Sequence, residues 1–267
     1  NEMKQVLGIE EKELTPTDLV RAILKAPVEL LYNGGIGTYV KASTESNADV
    51  MDRANDYCRV NGIDLRCRVV CEGGNLGFTQ LGRIEYALNK GLINTDFIDN
   101  SAGVDCSDHE VNLKILLDQQ VQLGKLTEAK RDEVLVSLTN EVADLVLQDN
   151  YQQALVMSFS MYHAEKNVTL HQNYIKELEA QNVLKRSIEF LPVDKVILDR
   201  KAAGIGLTRP ELAVLLAYSK IHLKAEILKT DLTEDPFLRD IVKTAFPKAL
   251  HKKYAKEMED HRLHKEI

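Results

Sequence analysis

The chain has 267 residues, 44% of them hydrophobic and 28% charged, as in an ordinary globular protein with room for one large or two medium domains. Its formal net charge is −7 with no basic stripe or tail, which argues against nucleic acid and anionic membrane surfaces as general partners. No window approaches about 18 consecutive apolar residues, so no membrane span is expected.

The first 14 residues show no signal-peptide pattern. The run LTPTDLVRAILKA predicts a helix, with Thr15 as N-cap, Pro16 at the first helical position and Leu19, Ile23 and Leu24 on one face. PVELLYNGGIG predicts a short buried strand broken by glycines. NADVMDRANDYCRVNG predicts a helix stopped at Asn61-Gly62. LRCRVVCEGG predicts a second strand, TQLGRIEYALNKG a helix stopped at Gly91, LINTDFIDN a third strand and SDHEVNLKILLDQQVQLG a third helix. Strands alternating with helices imply a mostly parallel sheet with helical crossovers.

After Gly124 the strand signals fade and helical patterns continue to the end of the chain. Thr208 and Glu211 form a T-x-x-E capping box, and Pro236 marks another helix start. The closing run HKKYAKEMEDHRLHKEI mixes both charge signs and predicts a solvated helix face. The expected fold is α/β followed by all-α: residues 1–122 as the later part of a Rossmann-like, mostly parallel sheet domain, and 123–267 as a helical domain.

The first part lacks the G-x-G-x-x-G fingerprint of a full dinucleotide-binding unit, and it lacks the phosphate-cradling G-x-x-x-x-G-K-[ST] loop. Cys58, Cys67, Cys71 and Cys106 have no metal spacing and are expected to be reduced, buried thiols of a cytoplasmic protein. The histidines have no metal spacing either, and no metal is expected. His109 follows Asp108, but no G-x-S-x-G nucleophile elbow accompanies it.

Three loops at strand ends carry the candidate chemistry. Asn33-Gly34-Gly35-Ile36-Gly37 lets a ligand approach the backbone closely or forms a structural turn. Glu72-Gly73-Gly74-Asn75 offers an amide suited to a carboxamide or ribose hydroxyl, or is a tight turn with Asn75 in the left-handed region. The third loop runs from Asn100 to Ser107. There Ser107 is placed to hold a carboxylate, to cap the helix through S-x-x-E with Glu110, or to do both.

These strings, with LLYNGGIGTYVKASTESNADVMDRAND, LRCRVVCEGGNLGFTQLGRIEYALNKG, INTDFIDNSAGVDCSDHEVNLKILL, EFLPVDK and GLTRPELAVLLAYSKIHLK, resemble the large bacterial NAD-dependent glutamate dehydrogenases. The resemblance implies NAD as cofactor and oxidation of glutamate to 2-oxoglutarate and ammonia, in a full-length homo-oligomer. It also implies that the chain is part of a longer protein, with the family's catalytic lysine and aspartate and its Gly-rich pyrophosphate loop upstream. No residue here is then catalytic, and the chain alone is expected to be inactive. A more distant likeness to the smaller hexameric enzymes aligns Glu72, Gly73, Gly74 and Asn75 with their E-G-A-N loop, Gly74 replacing alanine. Their N-A-G-G-V-x-x-S stretch aligns with Asn100 through Ser107, departing at Ser101 and Ala102. By that likeness Glu72, Gly73, Gly74, Asn75 and Asn100 lie on the cofactor, and Ser107 binds the γ-carboxylate of the substrate; Asn33, Gly34 and Gly35, in the glycine-rich loop after the first strand, are expected on the cofactor as well. The competing reading is a helical interaction module whose glycine-rich loops are only turns.

Overall fold

A computed structural model describes residues 2–11 and 13–267. Helix α1 (Glu2–Leu7) precedes α2 (Pro16–Leu24), which begins as expected. The Thr15 hydroxyl accepts the Asp18 backbone N–H at 3.2 Å, and Pro16 occupies the first turn, where no N–H is needed.

Strand β1 (Leu30–Asn33) pairs in parallel with β4 (Val69–Glu72), reached through β2 (Val40–Lys41), α3 (Asn47–Val50) and β3 (Val60–Asn61). Helix α4 (Gln80–Leu88) then crosses to β5 (Leu92–Ile93), which also pairs in parallel with β4. The sheet order is β1-β4-β5, with β2 and β3 forming a second, two-stranded parallel sheet. The parallel pairing matches the sequence expectation. The burial of β1 does not: it is the edge of the sheet, and Leu30 and Tyr32 are exposed.

The helix expected over residues 47–62 stops after one turn, with Met51 in the left-handed region (φ 61°). Tertiary hydrogen bonds override the helical pattern here. Asp52 accepts the Thr38 N–H at 2.8 Å, and the buried Arg59 donates to the carbonyls of Thr38 (2.8 Å) and Asp52 (2.6 Å). Val60 and Asn61 are thereby drawn beside β2 as β3.

Helix α4 ends in a left-handed Lys90 (φ 70°), and the Gly91 N–H returns to the Tyr86 carbonyl at 3.0 Å. Gly91 is required for space, since a Cβ there would lie 2.2 Å from the Tyr86 ring. The third strand is only two residues long. It gives way to α5 (Asp96–Asp99) and then α6 (Ser101–Gln122).

Among the described residues all strands lie within 30–93, and the elements that follow are helical, so α/β followed by α is correct. The later helices are α7 (Glu128–Ser137), α8 (Thr139–Tyr162), α9 (Val168–Ala180), α10 (Asp194–Ala202), α11 (Arg209–Ile227), α12 (Pro236–Arg239) and α13 (Lys248–Glu259). Half of the expected capping box forms at α11: the Thr208 N–H and hydroxyl both donate to Glu211 Oε2, at 2.6 and 2.8 Å.

The compact units do not follow chain order. One contains the described residues up to 100 together with 154–218. It holds a sheet core of Val40, Val60, Val70, Phe78, Tyr86 and Ile93 and a helical core that includes Met157, Ile175, Leu178 and Ile197. The other contains 101–153 and 219–267, around Leu113, Leu116, Leu117, Phe246, Tyr254 and Met258. The closing run is therefore not simply a solvated face. Leu250, Tyr254 and Met258 recur at four-residue intervals and bury one side of α13, and His261 beyond it is fully buried.

Candidate functional site

Parallel strands bring their C-terminal ends to one edge of the sheet, where α/β proteins bind ligands. Here β1 ends in Asn33, β4 ends in Glu72, and β5 leads through α5 to Asn100. The first two loops lie against each other: the Asn33 carbonyl accepts the N–H groups of Gly73 (2.9 Å) and Gly74 (3.2 Å).

The glycines serve this close approach. A Cβ at Gly73 would come within 2.0 Å of the Tyr32 hydroxyl, at Gly74 within 2.7 Å of the Gly35 carbonyl oxygen, and at Gly77 within 1.8 Å of Asn33 Nδ2. Gly37 has positive φ in the first loop, while in the second the left-handed residue is Leu76 (φ 61°), not Asn75.

Glu72 is fully buried beneath the loop and not open to a ligand. Its carboxylate accepts from Arg83 Nε at 2.6 Å, from Arg83 NH2 at 2.9 Å and from the Phe78 N–H at 3.2 Å. Arg83 NH2 lies 3.3 Å from Asp96 Oδ2, which itself accepts the Leu76 N–H at 2.8 Å. Burial pushes the Glu72 carboxyl upward against the opposing pull of Arg83. Burial also works against the charge of Arg83, but Glu72 and Asp96 together outweigh it and the net direction is upward. A buried bidentate pair of this kind fixes geometry more than it adds stability.

Asp99 performs the same service on the other side. It accepts the Glu72 N–H at 3.1 Å and the Asn94 side-chain amide at 2.6 Å. Asn94 in turn accepts from Arg209 Nε, and Arg209 NH2 reaches the Ala154 carbonyl at 3.2 Å. Sequence reasoning missed Arg83, Asp96, Asp99, Asn94 and Arg209. One signal was available: Arg83 sits among the apolar residues of α4, next to buried Ile84, where a lone cation requires a buried partner.

Above this support the Asn75 side chain is exposed, and its Oδ1 accepts from Asn100 Nδ2 at 2.9 Å. That bond leaves Asn75 Nδ2 as a free donor and Asn100 Oδ1 as a free acceptor among the described residues. One donor and one acceptor are the group types that a primary carboxamide requires of its partners. Asn33 Nδ2 is buried with no partner among the described residues, a further unused donor at the same edge. Burial and then the Asp99 carboxylate push the neighbouring Cys71 thiol up to about 11, so it stays protonated and unreactive at neutral pH.

The third loop is not a loop. Ser107 lies inside α6, which already starts at Ser101, so it is not a helix cap; its exposed hydroxyl donates to the Gly103 carbonyl at 3.3 Å. The helix forms six residues earlier than expected because Ser101, Ala102 and Gly103 continue directly from the short α5. Asn33, Gly34, Gly35, Glu72, Gly73, Gly74, Asn75 and Asn100 belong to one compact unit, and Ser107 to the other. Cys58 and Cys67 are buried as expected, Cys71 is half-buried and Cys106 is exposed; all four are free thiols.

Residues 1–160 match the family model described as bacterial NAD-glutamate dehydrogenase, catalytic domain. The chain belongs to the bacterial NAD-glutamate dehydrogenase family. Residues 204–267 match a second model, glutamate dehydrogenase, C-terminal. Among curated relatives, the NAD-specific glutamate dehydrogenase of Pseudomonas aeruginosa is 51% identical over 266 residues. Those of Halomonas elongata and Mycobacterium tuberculosis are 47% and 49% identical over 266 and 272 residues. Each alignment covers 100% of this chain but only 16–17% of the glutamate dehydrogenase relative. No described helix is long and apolar enough to cross a membrane.

Proposed function

We propose that Asn33, Gly73, Gly74, Asn75 and Asn100 form the nicotinamide side of an NAD site in a glutamate dehydrogenase, with Glu72 positioning the loop from below. The observation that carries this reading is the Asn75–Asn100 hydrogen bond at the strand ends, which leaves one amide donor and one amide acceptor of the pair unused among the described residues. Bound NAD supplies the hydride acceptor for converting glutamate to 2-oxoglutarate and ammonia. This chain's part is to orient the carboxamide through Asn75 and Asn100 and to let the ring approach a backbone kept bare by glycine. Gly34 and Gly35 belong to the same bare surface. Ser107 is assigned to the substrate's γ-carboxylate.

No residue here matches the family's catalytic lysine and aspartate, so the chain alone does not turn over glutamate. The functional division is 1–122 for the cofactor part and 123–267 for the helical part, in a cytoplasmic, homo-oligomeric full-length protein. The direct test is Asn100→Ala in a full-length relative. It raises KM for NAD about tenfold, the loss of one well-made hydrogen bond to the cofactor, and leaves KM for glutamate nearly unchanged. An unchanged KM for NAD contradicts the assignment.

A second reading, a helical packing module, draws on the exposed apolar residues Leu155, Phe159 and Tyr162 of α8, all within one compact unit. The two readings are compatible within one full-length enzyme.

A further inference from the structure

The sequence places His109 one turn after Asp105 on α6, and the fold brings Asp149 of α8 to the same point. All three residues belong to the unit formed by 101–153 and 219–267. Candidate ligand atoms of the three lie within 4.8 Å of one another. His109 is only 7% exposed.

The His109 ring is oriented by a hydrogen bond on its far side. Nδ1 stands 3.0 Å from the Ala245 carbonyl oxygen, which can only accept, so Nδ1 carries the hydrogen. In the neutral ring Nε2 is therefore a bare lone pair. It is buried without a partner, as is Asp105 Oδ2. Nε2 faces Asp105 at 3.9 Å and Asp149 at 3.8 Å. Those distances are too long for a hydrogen bond even if Nε2 were protonated. A lone pair buried against two carboxylates is left uncompensated unless a proton or a metal ion lies between them.

We propose that Asp105, His109 and Asp149 bind a divalent transition-metal ion. Metal–nitrogen and metal–oxygen bonds of about 2.1 Å at the tetrahedral angle of about 109° span about 3.4 Å, so Nε2 and the carboxylate oxygens, 3.9 and 3.8 Å apart, must draw together by about half an ångström. Two such bonds reach about 4.2 Å at most, so the carboxylates must also close on each other by at least about half an ångström. The half-exposed Asp149 can do so by a side-chain rotation. One imidazole and two carboxylates suit manganese, cobalt or zinc. A ligating histidine that donates its other N–H to a backbone carbonyl is the usual outer-shell arrangement, and Ala245 supplies it. The triad opens on a cavity of about 750 Å³, leaving room for water at the remaining positions. Lys224 and Lys248 also line that cavity; their repulsion of the ion is screened by the solvent that fills it.

The test is a titration of the chelator-treated 267-residue chain with cobalt(II), followed by visible absorption. The expected result is one equivalent bound, with the weak d–d bands of a nitrogen and oxygen site. Asp149→Asn and His109→Ala each weaken binding at least tenfold. Asp149 is half-exposed, so its variant keeps the metal-free melting temperature and serves even if His109→Ala misfolds. Absence of saturable binding overturns the proposal. So does affinity unchanged in Asp149→Asn, or an intense thiolate charge-transfer band, which would place the ion on a cysteine. An Nε2-protonated His109 by nitrogen-15 NMR at neutral pH, without cobalt affinity, overturns it as well, by making the triad an imidazolium held between two aspartates.

Discussion

Asn75 Oδ1 accepts a hydrogen bond from Asn100 Nδ2 at 2.9 Å, joining the loop after one strand to the residue that precedes α6. The bond is solvent-exposed, so its contribution to stability is only about 0.5–1.5 kcal/mol. Its larger consequence is orientation: each amide restricts the rotation of the other. A pair built for stability would be buried. This one lies at the surface, above a support that is buried.

That support predicts a large effect of a small change. Glu72→Gln keeps the shape of the side chain but removes the charge facing Arg83. The guanidinium is then left buried with Asp96 as its one remaining carboxylate among the described residues. Breaking one partner of a buried pair costs about 3–5 kcal/mol. Chemical denaturation measures it, and a loss below about 1 kcal/mol would contradict the role given to this pair.

The glycines separate into two kinds. Gly77→Ala drives a Cβ to 1.8 Å from Asn33 Nδ2 and forces the first loop away; overpacking of this sort costs about 1–3 kcal/mol. Gly35→Ala meets nothing within 4 Å and costs less than about 0.5 kcal/mol or stabilises slightly. Thermal melts of both variants check the contrast; equal effects would show that loop packing does not discriminate between them.

Much of this was legible in the sequence. The Thr15-Pro16 helix start, the alternation of strand and helix, and the switch to pure helix come from local signals that the fold leaves intact. The errors lie where distant partners decide. Arg59 and Asp52 capture the Thr38 backbone and end a helix whose own pattern runs on. Ser107 reads as a cap because S-x-x-E is a local signature, but α6 had already begun. At the site, the loops stood out through glycine and asparagine. Arg83 and Asp99 did not, since a charge that supports a loop from beneath looks in sequence like any charge on a helix.

Stability should fall on mild acidification, partly through His261. Its Nδ1 accepts the Leu263 N–H at 3.1 Å, and Nε2 lies 3.1 Å from the Asn112 carbonyl, which fixes a neutral ring. Burial, with His264 acting the same way, holds its pKa below the ordinary 6.5 although Asn112 opposes this. Burial lowers His171 too. Below about 6.5 the unfolded chain binds protons that the folded one refuses, so stability is level above about 6.5 and declines as pH falls from there toward the folded pKa. The melting temperature should be level from pH 8 to 7 and fall toward pH 5, less steeply in His261→Gln. An identical slope in that variant would remove His261 from the explanation.

Ser107→Ala distinguishes a ligand role from a structural one. The hydroxyl bonds only within its own helix, so stability changes by less than about 0.5 kcal/mol. In a full-length relative, KM for glutamate rises about tenfold while KM for NAD holds. An unchanged KM for glutamate would withdraw Ser107 from the substrate site.

The most direct measurement is a titration of NADH with this chain, followed by the cofactor's own fluorescence; the absence of Trp removes indole interference. Saturable binding that weakens about tenfold in Asn75→Ala, with the melting temperature preserved, is the predicted result. No binding at millimolar protein, or binding indifferent to Asn75, would contradict the claim that these strand-end loops hold the nicotinamide.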